Sequence, residues 1–123
     1  MKITEMAFVG YCVTDMDRAR SFYEGFLGLK QSRDLGNQGQ WIEYDIGSAT
    51  LAVIRGDGKD WVPSSRGTAA AFEVDDFEGF VAKAKSSGVK IVFDVIDAPE
   101  CWMLVVADPD GNRVGLHKHK PKS

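Results

Sequence analysis

Apolar positions along this chain follow two periods, and the periods alternate. Residues 6 to 13 (MAFVGYCV) are β-rich and stop at Thr14 and Asp15. Met16, Ala19, Phe22, Tyr23, Phe26 and Leu27 then recur at three- and four-residue spacing, which predicts an amphipathic helix. Thr14 and Asp15 offer its N-cap, Asp17 stands three residues after Thr14 as a short form of the capping box, and Gly28 closes it. Residues 29 to 35 read as a strand that ends near Gly36-Asn37-Gln38-Gly39. Residues 41 to 46 and 50 to 55 read as a hairpin across Gly47-Ser48-Ala49. Residues 56 to 67 (GDGKDWVPSSRG) are polar and turn-rich, with Trp61 as the odd member.

The plan then repeats. Residues 68 to 74 predict a strand, Asp75-Asp76 a cap, and Phe77, Phe80, Val81 and Ala84 a second helix that Gly88 ends. Strands follow over 89 to 95, 101 to 107 and 112 to 119, the last two joined by Asp108-Pro109-Asp110-Gly111. Proline presets φ and glycine accepts φ > 0, so that tetrapeptide is a strong turn signal. A calcium loop would need a longer run of spaced oxygen ligands than it has. Val13 matches Val74, Asp15 matches Asp76, Gly28-Leu29-Lys30 matches Gly88-Val89-Lys90, Asp45 matches Asp108 and Leu51 matches Val114. The offset drifts from 60 to 63 residues. The chain is therefore a βαβββ unit written twice, an α+β protein. Module one spans about residues 5 to 56, the linker 57 to 67 and module two about 68 to 119, within a single domain. The helices are expected outside and the sheets curled into a cup, because alternate strand residues must face one another there.

Composition narrows the function. A unit of about 55 residues is marginal alone, so the halves are expected to bury their faces against each other or against a second chain, as a homodimer. The net charge is −3, with no polybasic run outside the last few residues, which argues against nucleic acid as a partner. The apolar stretches are strand-sized, so no membrane span is expected. The opening MKITEMAF has no apolar signal segment, so a cytoplasmic location is expected. Two cysteines, Cys12 and Cys101, make no disulfide framework and read as reduced thiols in strands.

Three segments carry a resemblance: VTDMDRARSFYEGFLGLK, FEVDDFEGFVAKAKSSGVK and DPDGNRVGL. Together, over residues 5 to 118, the chain resembles the vicinal oxygen chelate superfamily of glyoxalase I, bleomycin-resistance proteins and extradiol dioxygenases. The resemblance implies paired βαβββ modules, usually in a homodimer, around a cup-shaped site. In the metal enzymes of that family each module supplies one ligand from its first strand and one from its fourth. The first-strand position, seven residues before the aspartate that opens the helix, is Phe8 here, and its repeat equivalent is Ala69. The fourth-strand position after the turn is Gly115, and its equivalent is Ala52. None of these side chains donates to a metal, so no metal and no cofactor are expected.

Strand alternation then assigns the cup lining. Phe8, Gly10 and Cys12 share a face, as do Thr50, Ala52 and Ile54, then Ala69, Ala71 and Glu73, and Arg113, Gly115 and His117. Trp41 and Glu43, with Trp102 and Leu104, complete the set. The candidate ligand-binding residues are thus Phe8, Cys12, Trp41, Glu43, Ala52, Ala69, Glu73, Trp102, Arg113, Gly115 and His117. Small residues leave room and aromatic rings offer flat walls, which suits an aromatic or antibiotic-like ligand with a few charges fixing its orientation. The plainer alternatives are that the tryptophans are sheet core and that Glu43, Glu73 and Arg113 pair or sit in water. His117 and His119, two apart on one strand face, have the spacing to bind adventitious metal, but alternating with lysines they read as a solvated edge. Trp61 is assigned to the cup rim or a dimer contact. Cys12 has no evident base beside it and is a poor nucleophile candidate.

Two function classes follow, with a bare dimeric scaffold as a third. One is a metal-independent protein that sequesters a small molecule, as bleomycin-resistance proteins do. The other is a metal-free enzyme, a lyase or isomerase, with Glu43 or Glu73 as general base. The first needs only a closed apolar site, whereas the second needs a tuned acid or base.

Overall fold

The alternating periods fold into two four-stranded mixed sheets, each covered on one face by a helical element. A computed structural model describes residues 1–36, 39–67 and 69–121. The element order is β1 (Val9–Val13), α1 (Met16–Arg20), β2 (Arg33–Asp34), β3 (Trp41–Ile46), β4 (Ala49–Arg55), β5 (Ala70–Glu73), α2 (Phe77–Ser87), β6 (Lys90–Asp97), β7 (Cys101–Ala107) and β8 (Arg113–His119). The chain divides into two compact units, Met1–Pro63 and Ser64–Ser123. The first sheet has the order β1-β4-β3-β2 and the second β5-β8-β7-β6, with the parallel pair being β1–β4 in one and β5–β8 in the other. This is the α+β, twice-written βαβββ plan that the periodicity predicts.

In the first unit Asp15, not Thr14, is the cap of α1, its Oδ1 accepting from the Arg18 N–H at 3.1 Å. The helix runs on without a break into a π-helical segment, Ser21–Phe26, where the Leu27 N–H donates to the Phe22 carbonyl at 2.9 Å. Ala19, Phe22, Tyr23, Phe26 and Leu27 all bury against the sheet. Tyr23 lies between Tyr11 of β1 and Tyr44 of β3, with ring centroids 6.0 and 6.4 Å away. Tyr11 and Tyr44 thereby mark the helix-facing side, with Ile42, Leu51 and Val53 in the same rows. Full burial of a side chain of that size contributes about 1.5–3 kcal/mol. The strand expected over 29 to 35 shrinks to Arg33–Asp34, an exposed edge pair. Asn37 and Gln38, in the turn that follows, lie outside the described residues, as does Thr68, where the second unit's first strand was expected to begin.

The second unit repeats the plan with a longer helix. Asp76 caps α2, its Oδ1 accepting from the Gly79 N–H at 2.9 Å, and Gly88 ends it with φ +80°. That left-handed conformation strains any residue with a Cβ. Phe77 and Ala84 bury on the sheet side. On the sheet, Lys118 pairs with Trp102, and Leu116 with Leu104 and Phe72. Trp102 and Lys118 line a pocket with Phe77 and Val81 of α2, so this row parity is the helix-facing one. Strand β6 carries register shifts between Ile91 and Phe93 and between Phe93 and Ile96, and so runs to Asp97 rather than stopping at residue 95. Among the described residues no helix is long and apolar enough to cross a membrane.

Candidate functional site

The helix-free face of the first sheet collects most of the expected residues of that unit. Gly10, Ala52, Glu43 and Arg33 form one row across four strands, and Cys12, Ile54 and Trp41 the next. Phe8 precedes β1 and is 43% exposed, its ring edge-on to Trp41 with centroids 5.5 Å apart. Glu43 is buried, and both of its oxygens are engaged. Oε1 accepts from Arg33 Nε at 2.8 Å and Oε2 from Trp41 Nε1 at 3.1 Å. Arg33 also pairs with Asp45, whose carboxylate accepts from the Thr50 hydroxyl at 2.8 Å. The result is an aromatic platform whose indole N–H is tied down by a carboxylate, and whose carboxylate is tied down by a guanidinium.

Cys12 is buried, and its thiol donates to the Trp61 carbonyl at 3.5 Å. This contact accounts for the otherwise odd linker tryptophan. Asp57 accepts from the N–H groups of Lys59, Asp60 and Trp61, each at 2.9 Å, and folds the turn that brings the Trp61 backbone to Cys12. These three donors hold the Asp57 carboxyl below the usual carboxylate range. The Trp61 ring itself is 41% exposed.

The helix-free face of the second sheet carries Ala71, Glu73, Gly115, His117, Arg113 and His119. Ala69 stands exposed just ahead of β5. Gly115 is buried opposite Ala71, and a Cβ built on it would stand 3.2 Å from the Ala71 Cβ, so the two strands would have to give by a few tenths of an ångström. Arg113 lies over the Phe93 ring at 5.2 Å. Glu73 is bound to His117 Nδ1 at 2.6 Å and accepts from the His119 backbone N–H at 2.8 Å. These two contacts, the imidazole first, hold its carboxyl below the ordinary range.

Trp102 does not share that face. Its partner in the ladder is Lys118, whereas Gly115 faces Val105 and His117 faces Met103. Trp102 instead floors a pocket of about 520 Å³ on the α2 side, with Phe77, Val81 and Val95 as apolar walls and Asp75, Asp76, Glu78 and Lys118 at the polar edge. Lys120 lies 5.2 Å over its ring. Leu104, expected beside it in the lining, is fully buried on the same helix-facing side. The physical reason is the drifting offset. Trp41 pairs with Ile54, and the residue that pairs with the repeat equivalent of Ile54, His117, is Met103, one position beyond Trp102. A one-residue slip turns a strand side chain to the other face.

The metal that the family resemblance implies does not fit the four positions it would use. Phe8 packs on Trp41, Ala52 is fully buried beside Gly10 and Glu43, Ala69 has only a methyl group, and Gly115 has no side chain to donate. The adjacent Glu43 has both oxygens committed to Arg33 and Trp41.

Comparison with known proteins places the fold. Residues 5–116 match the family model described as Glyoxalase/Bleomycin resistance protein/Dioxygenase superfamily. No curated protein matches the chain. Among solved structures, TnmS3, an antibiotic binding protein from Streptomyces sp. CB03234, superposes with a TM-score of 0.78 at 21% identity over 98% of this chain and 99% of that one. A glyoxalase/dioxygenase from Nostoc punctiforme gives 0.78 at 17% identity over 95% and 92%. Lactoylglutathione lyase from Agrobacterium tumefaciens gives 0.73 at 18% identity over 95% of each chain.

Proposed function

The chain belongs to the glyoxalase/bleomycin resistance protein/dioxygenase superfamily, and from that membership we propose that it is a metal-independent binder of small aromatic or antibiotic-like molecules. The observation that carries the reading is the Phe8–Trp41 platform, set beside the Glu43–Arg33 pair on a sheet face whose family metal positions hold no donor. Flat apolar surface with a fixed charge at its edge selects planar ligands with one polar end. The antibiotic binding TnmS3 supports the reading through its shared fold.

Catalysis by a carboxylate is the weaker alternative. A general base needs a free lone pair within reach of the substrate and a pKa near the working pH. Glu43 has each oxygen engaged by a donor, and Glu73 is held low by His117 and His119. Mass spectrometry of bound compounds after incubation tests this directly. Unchanged ligand is expected. A converted ligand whose turnover is lost in Glu43→Gln or Glu73→Gln, with binding retained, would establish the enzyme reading instead.

A second binding location has its own observation, the 520 Å³ pocket on Trp102, which is drug-sized. Trp41→Ala and Trp102→Ala separate the two: the proposed site loses affinity in the first variant and keeps it in the second.

The reading includes a cytoplasmic homodimer. Phe93, Val95 and Ile96 are exposed on β6, an edge strand of the second sheet, and a partner would cover them. A stable interface buries on the order of 1,200 Å² or more in total. Light scattering at micromolar concentration is expected to give twice the 13.5 kDa chain mass, and a 13.5 kDa species would exclude the dimer.

A further inference from the structure

We propose that Glu73, His117 and His119 form a binding site for one divalent transition-metal ion of the zinc class. The site uses none of the four family positions and neither Phe8 nor Trp41. Two imidazoles and a carboxylate are the donor types that suit Zn²⁺, and three protein ligands leave coordination open to water or an incoming anion.

The fold assembles the three residues for a local reason. Histidines two apart on β8 point to the same side of the strand. Parallel pairing sets Glu73, the last residue of β5, directly opposite His117. Because β5 ends there, the His119 N–H has no ladder acceptor, and Glu73 Oε2 takes that place at 2.8 Å. The backbone thus fixes the carboxylate and turns Oε1 toward the imidazoles, 2.6 Å from His117 Nδ1 and 3.8 Å from His119 Nε2. An outer hydrogen bond that orients a ligand is a recurring feature of metal sites.

One donor atom from each residue lies within 4.8 Å of the others. Ligands about 2.0–2.1 Å from a zinc ion must come closer together than that. His119 is the member that can close the gap, since its side chain is 76% exposed. On binding, the ion replaces the proton held between Glu73 and His117. The neighbouring lysines do not compete. Lys118 lines the pocket on the opposite face, and Lys120 is ion-paired to Asp97. The lysines that made this segment resemble a solvated edge are thereby removed from the donor side.

Untagged protein titrated with ZnCl₂ by calorimetry, and with Co²⁺ by visible absorption, tests the site. One Zn²⁺ per chain that survives desalting is expected. Glu73→Gln, His117→Ala and His119→Ala should each weaken it at least about 10- to 100-fold, the loss that removing even an orienting partner produces. All three positions are solvent-accessible, and His119→Ala, at the most exposed of them, guards against misfolding as the cause. Wild-type protein that retains no zinc would overturn the proposal. So would zinc held equally by wild type and all three variants, an adventitious ion only. Ligand binding measured in EDTA reports on the small-molecule reading independently.

Discussion

Asp108→Ala is expected to destabilise the protein by about 3 kcal/mol, although the residue sits in a turn. Its carboxylate is buried and fully used. Oδ1 accepts from the Asp110 and Asn112 N–H groups at 3.0 and 2.9 Å, and Oδ2 from the Asn112 amide at 2.8 Å. Asn112 is itself buried, and its Oδ1 accepts from the Ser64 N–H at 3.2 Å. Alanine strands the Asn112 backbone and side-chain donors, and each buried unsatisfied group costs about 1–3 kcal/mol. The same contacts weigh against a calcium loop here, since the carboxylate already accepts from three donors of its own turn. Urea unfolding monitored by circular dichroism checks this; a change below about 0.5 kcal/mol, the surface norm, would contradict the assigned role.

Leu104→Ala carries the second large effect, a loss of about 3 kcal/mol within the 2–5 kcal/mol range of buried leucine truncations. Leu104 has no exposed surface and lies in one row with Leu116, on the side of the second sheet that α2 covers. The variant should leave small-molecule binding unchanged at temperatures where it stays folded. Strand alternation read with a fixed offset from Trp41 places Leu104 in the binding lining instead, where truncation would weaken ligand and spare stability. Thermal unfolding and ligand titration of the same variant therefore decide which face it occupies.

That contrast shows where sequence reading succeeds and where it stops. The helices were legible because Asp15, Asp76 and Gly88 are strong local signals and the apolar spacing is unbroken. The hairpin β3–β4 and the strand β7 were equally plain. The faces of the first sheet followed from parity, since β1, β3 and β4 pair without a bulge. The second sheet was harder. The offset between halves grows along the chain, and a single residue of drift at β7 turned Trp102 from the helix-free face to the helix side. The short β2 and the late start of β1 also lacked a signal, because strand ends are set by where pairing partners stop rather than by the residues themselves.

The candidate site divides in the same way. Absence of donors at Phe8, Ala52, Ala69 and Gly115 could be read residue by residue. The Glu43–Arg33–Asp45 network could not, because Arg33 stood in a stretch with no clear register. Nor could the meeting of Glu73 with His117 and His119, residues 44 and 46 apart in sequence, which depends on the parallel pairing of β5 with β8.

The central claim is metal-independent binding on the Phe8–Trp41 face, and a tryptophan-fluorescence titration with an aromatic and antibiotic library, run with and without EDTA, tests it most directly. Covering about 100 Å² of one ligand face contributes about 2.5 kcal/mol before association costs, so a useful hit also needs the charge contact. The account predicts saturable quenching with the same Kd in EDTA, and a loss of about 1–3 kcal/mol in Trp41→Ala, as for a central aromatic anchor. Binding that disappears in EDTA, or that persists undiminished in Trp41→Ala, would contradict it.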